Sequence, residues 1–479
     1  MTWMSDRHTL FRRTIWTFVD QAVSSGSNFI LSVLVLSLVP AFEFAVFAVC
    51  LTTYLFAVQL ARATVGVPVT LFYTRSDRGD LLDRDEERAA IGAGVALGVL
   101  AALAALVGSA VASQGRAQLV VLGAALPFLI WQDMVRYVCF ARGRPSVAAG
   151  ADTVWLTLQL AGSTAVLATG RASAATLLGV WAAAGAISAV AFGVGLRLLP
   201  RVAAATGWLW RNRALCGRLL AEFTVAAGSH YCVYYGLAIV AGADQLGRLK
   251  AAQTILGPVI VLLLGGGVLG VPESVRAAHD PALVRRIALR LSALLASASI
   301  AWGIIAYVAL PIIGPAVFPN AWATARPLLP MLTLFAAAFG ASLGATGALR
   351  AFGASPWLLR SRTISGVMLA VLGIPLSARF QAIGALLALA LAEGSFAVLA
   401  WRRLVLLTKV STSVGADDSG RSGSDTANRR LPRADEAGPD ALRPGGGAPS
   451  AVMLEGLGPD PTGELGAVPE GPTGPLRQP

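Results

Sequence analysis

Long apolar runs recur along most of this chain, and they constrain its fold more than any other feature. An α-helix rises about 1.5 Å per residue, so about 20 apolar residues are needed to cross a hydrocarbon core of about 30 Å. Twelve runs meet that length: 14–39, 43–72, 89–112, 118–140, 146–169, 173–199, 219–241, 251–272, 288–313, 326–349, 355–377 and 380–401. The sequence therefore predicts an all-α polytopic membrane protein with about twelve transmembrane helices.

Charge supports this interpretation. Only 13% of the residues are charged, against about 25% in soluble proteins. The net charge of +12 comes from basic residues in short connections between the runs, a pattern typical of membrane topology and not of nucleic-acid binding. One side of the predicted membrane carries 21 basic residues and the other six. Because basic loops stay inside, we expect both termini to be cytoplasmic and the protein to lie in the cell (cytoplasmic) membrane.

An internal repeat divides the spans into six plus six. Ser27-Asn28-Phe29 matches Ser229-His230-Tyr231 at an offset of 202 residues, and 65–68 matches 269–272 at an offset of 204. Six spans return the chain to its starting side, so the two halves should be related by an axis along the membrane normal. A repeat with a site between its halves is the usual plan of a secondary transporter. We predict two six-helix bundles, 1–200 and 201–403, around a central cavity.

The end of the chain has a different composition. From about Lys409 onward it is rich in Gly, Pro, Ser, Asp and Arg, and it has too little apolar surface to offset the entropy of ordering. We expect 404–479 to form a disordered cytoplasmic tail. The four cysteines lack paired spacing, and no catalytic motif occurs. The sequence therefore predicts no metal site, no cofactor and no enzymatic activity.

The first two spans place an acid and a base at one depth. Asp20 lies 21 residues before Ala41, where the chain turns, and Arg62 lies 21 residues after it. Asp20, Ser24 and Asn28, spaced i, i+4 and i+8, form a polar stripe on one helix face. This stripe either lines the cavity or serves only to let Asp20 neutralise Arg62. The Arg62 guanidinium matches a diphosphate, or else reaches out to the interface.

Polar residues inside spans are functional candidates because an unpaired ionisable group is costly there. In the seventh span, tyrosines can pack on sugar rings and His230 can carry a proton, although hydrogen-bonded packing is the alternative. In the fourth span, Asp133 and Arg136 at i, i+3 can pair with each other. Glu393 in the twelfth span has no evident partner. The candidate cavity set is Arg62, Asp20, Ser24, Asn28, Gln59, Glu222, His230, Tyr234 and Arg136.

Several residues of the first hairpin carry a family resemblance. They are Asp20-Gln21, Ser24-Ser25 and Asn28-Phe29, the break with Phe44 and Phe47, and Arg62-Ala63 followed by Val65-Gly66 and Pro68. In these residues the chain resembles the polysaccharide and oligosaccharide-lipid flippases of the multidrug/oligosaccharidyl-lipid/polysaccharide (MOP) exporter superfamily. It departs from them at 40–45, where the family has a glycine-containing turn. The resemblance implies two six-helix bundles of MATE-like fold and a flippase for a polyprenyl-diphosphate-linked glycan.

Two functions follow as hypotheses. The first is a flippase for a lipid-linked oligosaccharide or polysaccharide precursor, with a polar cavity of net positive character and a proton or sodium ion as possible coupling partner. The second is a MATE-like drug or cation antiporter of the same fold, which requires an unpaired, titrating Asp20 and an acidic cavity. A lipid II role is disfavoured, because the eighth span, 251–272, contains no cation.

Overall fold

The computed structural model describes residues 2–75, 83–112, 114–263, 274, 277 and 280–421. All regular structure in this part of the chain is helical. The α-helices are α1 (Thr2–Leu38), α2 (Ala41–Ala61), α3 (Val67–Arg75), α4 (Arg84–Val111), α5 (Arg116–Ala141), α6 (Pro145–Ala168), α7 (Ala174–Gly195), α8 (Ala205–Arg211), α9 (Arg213–Phe223), α10 (Ser229–Val240), α11 (Ala243–Ile255), α12 (Gly257–Leu263), α13 (Pro281–Val308), α14 (Gly314–Val317), α15 (Trp322–Ala325), α16 (Leu329–Ala351) and α17 (Ser355–Arg421).

Nine stretches of helix within the described residues are long and apolar enough to cross a membrane. A tenth is reached if α11 and α12, which meet at 68°, form one broken span. Each of the twelve predicted runs overlaps a helix, but α6 is not among the nine and α17 counts once. The multi-pass, all-helical fold is confirmed, and the count of twelve is not.

α17 contains a chain reversal. Gln381 has φ 55° and ψ −137°, outside the helical region, and lies beside the predicted start of the twelfth span at 380. Arg362 pairs with Glu393 across the reversal, so the segments on its two sides run antiparallel. The second segment remains helical to Arg421, past residue 404, where the sequence places the start of the tail. Residues 422–479 lie outside the described part.

Small residues let helices approach closely. A Cβ on Gly344 of α16 would lie 2.1 Å from the Ala288 carbonyl oxygen of α13, so this contact requires glycine. Such small-residue packing is typical of membrane helices, which gain little from the hydrophobic effect between themselves. Many large apolar side chains also lie on the outside, as Ile239 and Val308 do. An apolar exterior of this kind suits lipid and not water.

Two halves meet in the middle of the molecule. In the N-terminal half (α1–α7), α5 packs against α4 and α7, and α1 against α6; in the C-terminal half (α9–α17), α16 packs against α13 and α17. Contact between the halves runs through α2 with α11 and α9 with the π-helix Arg62–Gly66. A second π-helix, Thr224–Gly228, joins α9 to α10. The domain boundaries at 200 and 403 stay a prediction, and the repeat match at 269–272 lies outside the described residues.

Candidate functional site

A cavity of about 450 Å³ lies between the two halves. Its wall is mostly apolar, with leucines and phenylalanines from α2, α9, α12 and α16. The polar part of the wall consists of Gln59, Glu222, His230, Tyr231, Tyr234, Lys250, Gln253, Arg362 and Glu393. Four of these, Gln59, Glu222, His230 and Tyr234, belong to the set predicted from the sequence. Mixed apolar and polar walls of this size are typical of small-molecule sites.

Lys250 is the cavity residue that sequence analysis missed and that bears most on chemistry. It lies on α11, near the break, where the sequence had suggested a loop outside the span. Its Nζ lies 4.3 Å from the centroid of the Tyr234 ring. The Tyr234 hydroxyl oxygen accepts a hydrogen bond from Gln253 Nε2 at 3.1 Å. No ion pair joins Lys250 to another described residue, so its positive charge faces the cavity without a carboxylate partner.

A charged cluster on the C-terminal side of the cavity corrects the interpretation of Glu393 as isolated. Arg362 Nη1 lies 2.7 Å from Glu393 Oε1, and His230 Nε2 lies 3.5 Å from the same oxygen. The Arg362 guanidinium carbon also lies 3.6 Å from the centroid of the Phe396 ring, a cation–π contact. Arg362 lies inside α17 and inside the predicted eleventh span, 355–377, but it was not among the predicted cavity residues. We call Arg362, Glu393 and His230 the cavity cluster.

The N-terminal half contains a larger buried network away from this cavity. Arg62 Nε and Nη2 bind Asp133 at 2.9 and 2.7 Å. Arg136 lies 2.5 Å from Asp20, 2.9 Å from Asp133 and 3.2 Å from Asp152. The predicted i, i+3 pair of Asp133 and Arg136 is therefore confirmed. We call these five residues the buried network.

The buried network changes the predicted role of the first hairpin. Asp20 and Arg62 do not pair directly; Arg136 and Asp133 connect them. Asp152 of α6 was missed, although a single acid in an apolar run is the signal that could have found it. Its other carboxylate oxygen accepts from Gln132 Nε2 at 2.6 Å.

Five members of the predicted cavity set do not line this cavity. Asp20, Arg62 and Arg136 are engaged in the buried network instead, and the third Arg62 nitrogen, Nη1, donates to Gln59 at 3.3 Å. Ser24 and Asn28 are half-buried on α1 and also lie outside the cavity wall. The face of α1 that the structure buries includes Ser27, which donates to Gln159 of α6. The predicted stripe thus contributes Asp20 to packing between helices.

An aromatic contact closes one side of the space between the halves. The Phe56 ring of α2 lies 5.1 Å from Tyr231 and 6.2 Å from Tyr235 of α10, centroid to centroid. The Tyr235 hydroxyl lies 3.1 Å from Thr53 Oγ1, also on α2. Aromatic pairs at such distances stabilise a contact by more than the burial of their apolar surface alone. This contact holds α2 and α10 together beside the cavity.

No family model matches the chain, and no curated protein sequence matches it. Solved structures do match. An inward-facing multidrug resistance MATE family transporter of the MOP superfamily superposes with TM-score 0.58 at 11% identity, over 83% of this chain and 99% of that one. A MATE structure in the straight conformation gives 0.55 at 12%, over 85% and 96%.

A third solved structure is a MOP superfamily transporter from Pyrococcus furiosus, for which reverse polarity of the binding pocket was taken to suggest a different function. It superposes with TM-score 0.50 at 9% identity, over 84% of this chain and 95% of that one. All three likenesses extend over nearly the whole helical part of the chain. This multi-pass membrane protein therefore has the fold of the MATE transporters of the MOP superfamily.

Proposed function

We propose that this protein is a membrane transporter that moves a polyprenyl-diphosphate-linked oligosaccharide or polysaccharide precursor across the cytoplasmic membrane by alternating access. Lys250 is the observation that carries the proposal. It is a cation without a carboxylate partner among the described residues, set in the wall of a mostly apolar cavity between two halves of a transporter-like fold. Such a site suits an amphiphile with an anionic head group.

The helix that bears Lys250 supports transport. α11 and α12 meet at 68° around Leu256, so the eighth predicted span is broken beside the cavity. Broken helices at the interface between halves are a common way to build the substrate sites of secondary transporters, because the break brings polar groups to the middle of the membrane. The fold of the solved MATE structures supports the same coarse function.

The polar wall fits a phosphorylated sugar. The Lys250 ammonium carries three donors for phosphate oxygens, and Gln253 adds an amide on the same helix face. Tyr231 and Tyr234 offer ring faces on which a sugar can pack. Arg62 was the expected diphosphate ligand, but its donors are directed to Asp133 and Gln59. In this proposal Lys250 takes that role.

A MATE-like drug or cation antiporter is the second candidate. Glu222 and Glu393 on the cavity wall favour it, because carboxylates attract cationic drugs. Against it, Lys250 and Arg362 supply two cations to the same wall, so the cavity is not acidic overall. The cytoplasmic orientation of both termini, the six-plus-six division and the coupling ion belong to the proposal in either case.

Leaflet-resolved lipid analysis after depletion of the protein tests the function. We expect a polyprenyl-linked glycan to accumulate on the cytoplasmic side, and its chemistry identifies the substrate. Sensitivity to cationic drugs without such a lipid would favour the antiporter instead.

Complementation with point variants then tests the site. Lys250→Gln should lower export by about tenfold or more, since a hydrogen bond to a charged group contributes about 1.5–3 kcal/mol. Arg248→Gln is the matched control: it lies two residues earlier on α11, is half-exposed and pairs with Asp244 at 3.5 Å. Normal export by Lys250→Gln would remove Lys250 as the head-group ligand.

A further inference from the structure

Two buried polar atoms of the cavity cluster lack a partner within the described residues. They are His230 Nδ1 and Glu393 Oε2. Buried nitrogen and oxygen atoms are nearly always hydrogen-bonded, and exceptions often mark a functional role. The other atom of each group is engaged, since His230 Nε2 and Arg362 Nη1 both approach Glu393 Oε1. The cluster is thus held in place on one side and unsatisfied on the other.

A second, small cavity adjoins the cluster. It has a volume of about 10 Å³, and His230, Glu393, Ser229 and Ser365 are in its wall. That volume holds about one water molecule. His230 and Glu393 also line the large cavity, so a proton arriving by water can reach the imidazole.

The charges around the cavity nearly cancel. The ionisable side chains that face His230 or share its cavity wall are Glu222 on α9, Tyr231 and Tyr234 on α10 itself, Lys250 on α11, and Arg362 and Glu393 on α17, with Arg62 behind Gln59. Among the described residues two cations and two carboxylates line the wall, so this part of the chain does not give the cavity the expected net positive charge. A proton on His230 would supply that positive charge.

We propose that His230 is a proton-binding site whose protonation makes the cavity cationic and strengthens binding of the anionic head group. The proton is taken up from water at Nδ1, while Nε2–H remains directed to Glu393. A metal ion fits this place poorly, because the Arg362 guanidinium already occupies Glu393 Oε1 at 2.7 Å. The inference rests on the proposed function and names a proton, not sodium, as the ion linked to substrate.

Binding measurements on the full-length protein in nanodiscs test the linkage. The probe is a dialkyl phosphate, whose single negative charge stays constant across the range in which imidazole titrates. From about pH 5.5 to about pH 8, binding should weaken by about fourfold more in the wild type than in His230→Gln. That is the effect expected for one unit charge across the cavity in a partly hydrated site.

Histidine NMR separates this proposal from the proposed function. The His230 ring signals, identified by their loss in His230→Gln or His230→Asn, should shift between about pH 5 and about pH 8. Constant ring signals, or probe binding that is pH-independent in the wild type, would overturn the proton site and leave the transporter proposal standing. Absence of probe binding at every pH would contradict the proposed function, and the ring signals would then decide the proton site alone.

Discussion

The buried network of the N-terminal half and the cavity cluster of the C-terminal half use the same kinds of side chain for different ends. In the buried network, Asp20, Asp133, Asp152 and Arg136 have side-chain exposures of 1 to 4% and form ion pairs with one another, although Asp152 Oδ2 accepts no hydrogen bond within the described residues. In the cavity cluster only Glu393 is so deeply buried, while Arg362 and His230 are 15% and 22% exposed to the cavity. Charged side chains that pair with one another inside the protein stabilise helix packing, whereas charged side chains that line a cavity can contact a ligand.

Arg136→Met tests this comparison with the largest expected effect. The change leaves three carboxylates with only Arg62 to balance them. The free energy of unfolding should fall by about 3–5 kcal/mol, as when one partner of a buried ion pair is removed. Fluorescence-detected thermal unfolding in detergent measures it.

The control for Arg136→Met is Arg201→Ala, since Arg201 pairs with an Asp85 side chain that is 58% exposed. An exposed pair contributes about 1 kcal/mol or less. Equal losses from the two variants would show that the buried network does not hold the N-terminal half together.

A pair of variants at Arg62 sharpens the comparison. Arg62→Met removes one of two cations from a network that already has three carboxylates. Adding Asp133→Asn restores the original charge balance, so the double variant should regain about 1–2 kcal/mol over the single one, in the range found for interacting neighbours. Thermal unfolding of Arg62→Met, of Asp133→Asn and of the double variant completes the double-mutant cycle. A double variant less stable than Arg62→Met would contradict a charge-balanced network.

Of the substitutions in the two clusters, Glu393→Gln should change the free energy of unfolding least. Its amide oxygen still accepts from Arg362, and water in the cavity can solvate the freed charge, so the free energy of unfolding should fall by only about 1 kcal/mol. The variant should instead alter the pH at which probe binding weakens, because the carboxylate that faces His230 is gone. A stability loss as large as that of Arg136→Met would show that the cavity cluster, too, serves packing.

The fold was predictable from sequence because span length and hydrophobicity are local properties. The break near 380 and the helical runs agree with Gln381 and the helix bounds. The contacts of the charged residues were not predictable, because the sequence of one span does not show which other helices pack beside it. The alternatives for Asp20 were therefore the cavity or Arg62 and not Arg136, and Glu393 was left without Arg362.

Two cavity cations were missed for a related reason. Lys250 and Arg362 lie near the ends of apolar runs, where a basic residue ordinarily anchors a loop at the membrane surface. In the structure Lys250 lies six residues before the break at Leu256, Arg362 pairs with Glu393 across the reversal at Gln381, and both side chains line the cavity. A basic residue at a span end is thus ambiguous until the helix geometry is known.

The break at Leu256 has a mechanical consequence. Before it, Gly247 lies so close to Ala45 of α2 that a Cβ there would approach the Ala45 Cα to 2.8 Å; after it, Leu263 lies against Gly340 of α16. The helix before the break, α11, thus packs against the N-terminal half, and the helix after it, α12, packs against the C-terminal half. If the halves rock, as the proposed alternating access requires, Leu256 is the point at which the angle between α11 and α12 can change, and Lys250 then moves with the arm that contacts the N-terminal half.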